Sequence, residues 1–281
     1  AGPADQVFGA PRKLPALGAW MGVLAFSGQI FFDFAGYSTC AIGIAACFGF
    51  HLPDNFLYPY GAIGFSDFWR RWHITLSAWL RDYLYIPMGG NRKGKARTYI
   101  NLMLTMLIGG LWHGANWTFV VWGGLHGFYL WVEKTIADIR KDKVAPIATT
   151  PPGEVGVLGP VPEILKPKTL RNFAITLFTF FLINITWVFF RAPNFTDAWS
   201  ILTSLSGLRK AAEPLLTTLS ILKVSIIIAG MVLIHWFMRD KKVIDTALTL
   251  PWWLVGLAWT ALLLLLIWSQ ESSSSFIYFQ F

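Results

Sequence analysis

Long apolar runs alternate with short polar segments along most of the chain. A membrane-spanning helix takes about 20 mainly apolar residues, and six runs approach or reach that length. The runs are residues 18–38 (extending towards residue 50), 99–113, 116–133, 172–190, 219–238 and 252–269. The pattern predicts an all-α polytopic membrane protein, with residues 1–281 forming one membrane-embedded domain.

The second and third runs are short and rich in glycine. Their glycines are Gly109, Gly110, Gly114, Gly123, Gly124 and Gly127. Small residues let two helix backbones approach closely, which is one interpretation. The other is a broken or re-entrant helix around a cavity, where irregular backbone is tolerated at membrane depth. The residues leave both interpretations open.

Two shorter segments have the apolar spacing of helices that lie at a membrane interface. Residues 66–86 predict one continuous helix, with Ser66 as its N-cap and an apolar face that includes Trp69 and His73. Residues 197–208 predict a second, shorter one. The expected architecture is therefore a transmembrane helical bundle with interfacial and re-entrant helices.

Composition and charge indicate lipid as the main solvent. Only 14% of the residues are charged, against roughly a quarter in a soluble domain. The net charge is +8, but the basic residues fall between the apolar runs, so we expect membrane lipid and not nucleic acid as the partner. The basic loops at 134–171 and 239–251 are then cytoplasmic. Residues 144–168, with six prolines, predict a loop.

His113 is the residue that points most directly to chemistry. It ends an apolar run, where an ionisable side chain is costly and is usually functional. A neutral imidazole can take the proton of a hydroxyl whose oxygen attacks a carbonyl. Asn116, one helical turn later, would orient the ring or donate to the developing oxyanion. A packing histidine bonded to a neighbouring carbonyl fits the residues equally well.

Two further groups are candidates for the site. His73 lies on the apolar face of the predicted 66–86 helix, which an interfacial role alone does not explain. Basic residues follow that helix and would bind the phosphates of a nucleotide-bearing cofactor, or else only orient the next span. These residues are Arg92, Lys93, Lys95 and Arg97. The spacing of the cysteines fits no metal site, and we expect none.

Four motifs in one order resemble the membrane-bound O-acyltransferase family. They are Phe68-Trp69-Arg70-Arg71-Trp72-His73-Ile74-Thr75-Leu76-Ser77, Leu80-Arg81-Asp82-Tyr83-Leu84-Tyr85-Ile86-Pro87, Gly89-Gly90-Asn91-Arg92 and Leu111-Trp112-His113-Gly114. The resemblance covers about residues 26–135. It is strongest to the bacterial branch that O-acetylates alginate, which is itself similar to membrane subunits acting on peptidoglycan, cellulose and teichoic acid.

The resemblance implies an O-acetyltransferase of the bacterial inner membrane. In the family the histidine matching His113 is catalytic, and the position matching His73 is a second polar active-site residue that positions or polarises the thioester or the acceptor. Further supporting candidates are Asn116, Asp82, Arg81 and Trp69. The resemblance also implies a tunnel that admits acetyl-CoA, as a donor substrate and not a bound cofactor, from the cytoplasm and the acceptor from outside.

The same resemblance implies a partner and a longer parent chain. The expected partner is a periplasmic or membrane-tethered acetyltransferase that carries the acetyl group to an exported polysaccharide, with alginate as the expected polymer. Family members have further membrane helices before the stretch that matches Asp33, so this chain is expected to be a C-terminal portion. A transporter or flippase component with a midplane polar site, and a scaffold with packed histidines, are the alternatives from other classes.

Overall fold

A computed structural model describes residues 2–11, 14–139, 170–207, 214–241 and 243–268. Within these ranges the secondary structure is helical and includes no strand, which confirms the all-α prediction. The predicted loop at 144–168 lies outside the described residues. The helices are α1 (Gly2–Gly9), α2 (Ala16–Cys47), α3 (Phe65–Arg71), α4 (Ile74–Leu80), α5 (Gly94–His113), α6 (Trp117–Ile139), α7 (Leu170–Arg191), α8 (Phe195–Leu205), α9 (Thr218–Met238), α10 (Val243–Thr249) and α11 (Trp252–Trp268).

All six predicted apolar runs are helices. By length and composition α2, α7 and α9 can cross a membrane, and α11 is a shorter apolar helix. α5 and α6 carry more polar residues but are long enough to span. The predicted interfacial helix is present as α8, which buries Ala198 and Ile201 and exposes Trp199.

α2, α7 and α9 pack around a core that includes satisfied polar side chains. Phe26 of α2 meets Trp187 of α7 edge to face, with 6.3 Å between ring centroids. The Ser27 hydroxyl donates to the Asn184 side-chain oxygen at 2.6 Å, and the Tyr60 hydroxyl donates to the Ser27 carbonyl at 2.7 Å. Such interhelical hydrogen bonds hold helices together where lipid offers no hydrophobic drive for association.

α5 and α6 form an antiparallel hairpin with a close backbone approach. A Cβ atom at Gly110 would collide with the carbonyl oxygen of Phe119, and one at Gly123 with that of Met106. Only glycine permits this spacing at the two positions. Gly110 and Gly123 therefore serve helix packing, and His113 lies at the end of α5 beside the turn of the hairpin.

The prediction of one continuous helix over residues 66–86 is wrong. The chain forms α3 and α4 with a break at Trp72 and His73, followed by a π-helical turn over Arg81–Tyr85. At the break His73 adopts the left-handed backbone conformation, with φ 45° and ψ 54°, which is uncommon outside glycine. The helical periodicity of the apolar residues continues across this break, so the sequence pattern does not indicate that the chain changes direction between α3 and α4.

The predicted Ser66 N-cap is also wrong, because a distant residue caps α3. Gly64 occupies the N-cap position and makes no side-chain cap bond. Instead, the Glu133 carboxylate of α6 accepts hydrogen bonds from the backbone amides of Phe65 and Ser66 at 2.5 and 3.2 Å. The start of α3 is therefore fixed by α6.

A buried ion cluster fixes the same helix to the end of α9. Asp67 is fully buried and accepts from Arg71 Nε and Arg239 Nη2 at 2.8 Å each, and from the Ile63 amide at 2.9 Å. Arg239 also donates to the Gly61 carbonyl at 3.0 Å. Burial lowers the pKa of the Arg239 guanidinium, and the facing Asp67 carboxylate opposes that shift.

We expect Asp67→Asn to destabilise the protein strongly. Removing one member of a buried ion pair costs about 3–5 kcal/mol, because the remaining charges stay buried without compensation. The matched control is Asp240→Asn, since Asp240 contacts Arg71 and Arg239 from a half-exposed position and exposed pairs contribute about 0–1 kcal/mol. Thermal unfolding of both variants in detergent measures the difference, and equal losses would contradict the assignment.

We also expect Gly110→Ala to weaken the hairpin, by roughly 1–3 kcal/mol, as overpacking does in well-packed cores. The added methyl group has to displace the backbone of α6 at Phe119. Gly124→Ala is the control in the same hairpin, because its methyl group would meet only the Leu107 side chain at an ordinary 3.5 Å. The thermal midpoint in detergent should fall for the first variant and stay near wild type for the second.

Candidate active site

The side chains of His73 and His113 line the same small cavity. Its other walls come from Ile30, Phe34, Trp72, Trp122, Trp187 and Phe190. The volume accessible to the centre of a water molecule is about 10 Å³, which is room for about one water. The fold thus brings together the two histidines that lie in separate sequence motifs, and it surrounds them with aromatic rings.

His113 is the last residue of α5, and packing holds its ring. The imidazole meets Trp122 edge to face with 5.1 Å between ring centroids, and Phe190 at 5.0 Å. The helix ends here because Gly114 turns the chain, and a Cβ atom at Gly114 would come within 2.7 Å of the Phe119 ring. The close turn therefore sets the position of the histidine against α6 and α7.

His73 faces this cavity from the break between α3 and α4. Its side chain is buried, and its ring meets Phe34 edge to face at 4.7 Å. Nδ1 lies 3.2 Å from the Asn55 side-chain oxygen, and Nε2 is buried without a hydrogen-bond partner among the described residues. Burial lowers the pKa of His73, and the neighbouring His113 adds to the shift, so the ring is neutral at pH 7.

A larger cavity, here called the vestibule, lies beside the α5–α6 turn. It has a volume of about 550 Å³ and is lined by the turn, by the end of α7 and by α1. Its charged groups include Asp5 and Arg191, which form an ion pair at 3.2 Å. Phe190 lines both the vestibule and the histidine cavity. The Phe190 ring therefore stands between the vestibule and His113.

Asn116 lies at the vestibule and not on a helical face shared with His113. α5 ends at His113 and α6 begins at Trp117, so the expected continuous helical spacing is wrong. The side-chain nitrogen of Asn116 donates to the Pro193 carbonyl at 2.9 Å, and its side-chain oxygen accepts from the Thr118 backbone amide at 3.1 Å. These bonds tie the turn to the end of α7 and support the position of His113 indirectly.

The remaining supporting candidates do not line the histidine cavity. Trp69 is buried behind Trp122, with 5.8 Å between ring centroids. Arg81 is buried in the π-helical turn and pairs with the more exposed Asp82 at 2.6 Å.

The basic cluster lies at the far end of α5 from His113. Arg92, Lys93, Lys95 and Arg97 are exposed at or just before the start of the helix. α5 has 20 residues, so a rise of 1.5 Å per residue separates its ends by about 30 Å. The cluster and the histidine cavity therefore occupy opposite ends of the hairpin.

Sequence reasoning missed several residues that shape the site. Asn55 follows a proline-containing turn and carries no recognisable motif. Trp187 and Phe190 lie in an apolar run where aromatic residues are common, and only their location in the fold gives them significance. Among the described residues, no group of three or more His, Cys, Asp or Glu side chains is arranged to hold a metal ion.

Comparison with known proteins supports a membrane acyltransferase fold. The model of the membrane-bound O-acyltransferase family matches residues 11–147. This range contains α2 to α6, both cavity histidines and the basic cluster. A bundle of apolar helices around two histidines that share one cavity defines a multi-pass membrane protein with an internal polar site. Over these residues the chain is similar to the membrane-bound O-acyltransferase family.

Curated relatives extend the match along the chain. A probable alginate O-acetylase of Azotobacter vinelandii is 42% identical over 75% of this chain and 39% of its own length. One from Pseudomonas putida is 39% identical over 94% of this chain and 53% of its own length. A peptidoglycan O-acetyltransferase of Helicobacter pylori is 43% identical over 73% of this chain and 34% of its own length.

This chain matches only part of each of these relatives, and all three relatives are bacterial. It spans between about a third and a half of the length of these relatives. Because the relatives are bacterial and the chain has several apolar helices, it is a multi-pass protein of the bacterial inner membrane.

Proposed function

We propose that this chain forms the histidine-bearing part of a membrane O-acetyltransferase that passes acetyl groups towards an exported polysaccharide. The observation that carries the proposal is the meeting of His73 and His113 in one aromatic cavity beside a larger vestibule. Similarity to the membrane-bound O-acyltransferase family supports acyl transfer as the reaction class. The names of the curated relatives support an exported polymer as the destination of the acyl group.

His113 is the proposed general base. The oxygen of the acceptor hydroxyl attacks the carbonyl carbon of the acetyl thioester, and the carbon–sulfur bond breaks. The hydroxyl proton passes to the imidazole and then to the leaving thiolate, so an ester and a free thiol are the products. The aromatic walls limit access of water, which would otherwise hydrolyse the thioester.

The two ends of the hairpin provide separate access for the two substrates. We assign the vestibule to the acceptor, because it borders the His113 turn and contains polar groups. We assign the basic cluster to the phosphates of acetyl-CoA, since exposed Arg and Lys side chains bind phosphate. The cluster lies at the same end of the hairpin as the end of α6 and its following basic loop, the end that the positive-inside rule assigns to the cytoplasm.

Alginate is the polymer that we propose as the destination. The match to the Pseudomonas putida alginate O-acetylase covers 94% of this chain, including the later helices. The Helicobacter pylori relative has similar identity over 73% of the chain, so peptidoglycan is the alternative polymer. We further propose that a periplasmic or membrane-tethered acetyltransferase receives the acetyl group and completes the transfer.

His113→Ala is expected to abolish acetyl transfer while the protein still folds and inserts. Loss of a general base lowers a rate by about 10²–10⁴-fold, and the cavity loses no charged partner. His51→Ala is the control, because His51 is exposed and lies outside the cavity. Labelled acetyl-CoA supplied to membranes that contain the full protein measures transfer of label to a partner or to sugar.

The same assay separates the proposal from its rivals. Transfer by wild type and by the His51 variant, but not by the His113 variant, supports the enzyme. Movement of a substrate across the membrane without transfer of label would support a transporter instead. Unchanged transfer in the His113 variant would remove this residue from the mechanism.

Charge removal in the basic cluster is expected to weaken donor binding selectively. Arg92→Gln combined with Lys95→Gln should raise the KM for acetyl-CoA several-fold and leave kcat nearly unchanged, because the phosphates lie far from the reacting carbonyl. Lys241→Gln is the matched control, since Lys241 is an exposed basic residue outside the cluster. An unchanged KM in the double variant would instead assign the cluster to membrane topology.

A further inference from the structure

The Asn55 side chain makes a set of hydrogen bonds around His73. Its side-chain oxygen lies 3.2 Å from His73 Nδ1, 3.3 Å from the Thr75 amide nitrogen and 2.9 Å from the Thr75 hydroxyl. Its side-chain nitrogen donates to the Ser38 hydroxyl at 3.2 Å. One amide group thus connects α2, the break at His73 and the start of α4.

The Thr75 amide identifies which atom of the Asn55 side chain faces His73. A backbone N–H can only donate, so the atom that it contacts is the oxygen and not the nitrogen of the amide. That same oxygen faces His73 Nδ1, and an amide oxygen can only accept. His73 Nδ1 therefore carries the proton, and Nε2 of the neutral ring carries the lone pair.

The backbone around the break supports this arrangement. His73 has a left-handed conformation, which is uncommon outside glycine and persists where neighbouring contacts enforce it. Those contacts come from residues 55–57. The main-chain carbonyl of Asn55 accepts from the Ile74 amide at 3.0 Å, and the Leu57 amide donates to the Arg71 carbonyl at 2.9 Å. The chain on both sides of His73 is therefore held by residues 55–57.

The direction of Nε2 follows from the walls of the cavity. His73 lines the histidine cavity, whereas Asn55 does not, so the ring nitrogen on the side away from Asn55 is the one available there. Nε2 is buried and makes no hydrogen bond within the described ranges. His113 is the titratable group that faces His73 in this space, and Phe34, Trp72 and Trp112 supply aromatic neighbours.

We propose that Asn55 is a positioning residue that fixes His73 as the Nδ1–H tautomer and so presents Nε2 as a hydrogen-bond acceptor in the cavity. With the proposed function, on which this step rests, His73 then accepts a hydrogen bond from a donor group of the acceptor other than the attacking hydroxyl, whose single proton goes to His113. Polarising the thioester carbonyl would require a donor, which Nε2 in this tautomer is not. Of the two roles that the family resemblance leaves to His73, the hydrogen bonds of Asn55 select one.

The tautomer can be measured without reference to activity. Nitrogen NMR of the full protein in lipid bilayers, with ¹⁵N-labelled histidine, reports which ring nitrogen is protonated, and the signals lost in His73→Gln identify His73. We expect a protonated Nδ1 and an unprotonated Nε2 in wild type, and loss of this preference in Asn55→Leu. Protonation at Nε2 in wild type, or the same tautomer in wild type and Asn55→Leu, would overturn the proposal.

Asn55→Asp gives a second readout that does not depend on removing the interaction. The carboxylate still accepts from His73 Nδ1, but its charge favours the imidazolium, which cannot accept at Nε2. An opposite charge in contact raises a pKa by roughly one to three units, so the pH profile of acetyl transfer should move to higher pH. Ser38→Ala is the control, because it removes the other bond of the amide and should leave the profile unchanged.

The two readouts distinguish the two proposals. If the Asn55→Asp profile coincides with wild type while transfer is intact, the positioning role of Asn55 is wrong and the acyltransferase proposal stands. If the wild-type protein transfers no acetyl group, the acyltransferase proposal is wrong, and the tautomer in wild type and Asn55→Leu still decides the role of Asn55.

Discussion

The buried carboxylate of Asp67 is the constraint on which the candidate site depends. It accepts from Arg71 and Arg239 at once, so it joins α3 to the end of α9. A charge without a partner is expensive in an apolar interior, and therefore this geometry tolerates little displacement. With Glu133 of α6 capping its first turn, α3 is held at its start and along its length, although it has only seven residues.

Because α3 is fixed at these points, its end also fixes the position from which the chain continues to His73. Continuing α3 beyond Arg71 would carry His73 along the helix, but the left-handed break turns its ring towards α5. Asn55 secures the break through contacts of its side-chain oxygen with the His73 ring and the Thr75 amide. The partner ring, His113, is placed independently by the close approach of α5 and α6 at Gly110. Polar contacts thus position one histidine, and backbone packing positions the other.

The sequence predicted the parts of the fold that depend on local composition. An apolar run of membrane length forms a helix because lipid leaves its backbone no other partner, and all six runs are helices. The sequence did not predict the break at His73, because the helical spacing of apolar residues continues from α3 into α4 although the chain changes direction between them. The cap by Glu133 and the bond to Asn55 are tertiary contacts that no spacing encodes. The expected pairing of Asn116 with His113 failed because Gly114 ends the helix between them.

The size of the histidine cavity has a consequence for the choice between acyl transfer and hydrolysis. A space with room for about one water admits neither a sugar hydroxyl with its ring nor a thioester until a wall moves. Phe190 is the side chain common to this space and the vestibule, so an acceptor approaching from the vestibule has to displace it. In the proposed reaction, displacement by the acceptor also fills the space that water would use. An aromatic barrier of this kind would favour transfer to the arriving alcohol over loss of the acyl group to solvent.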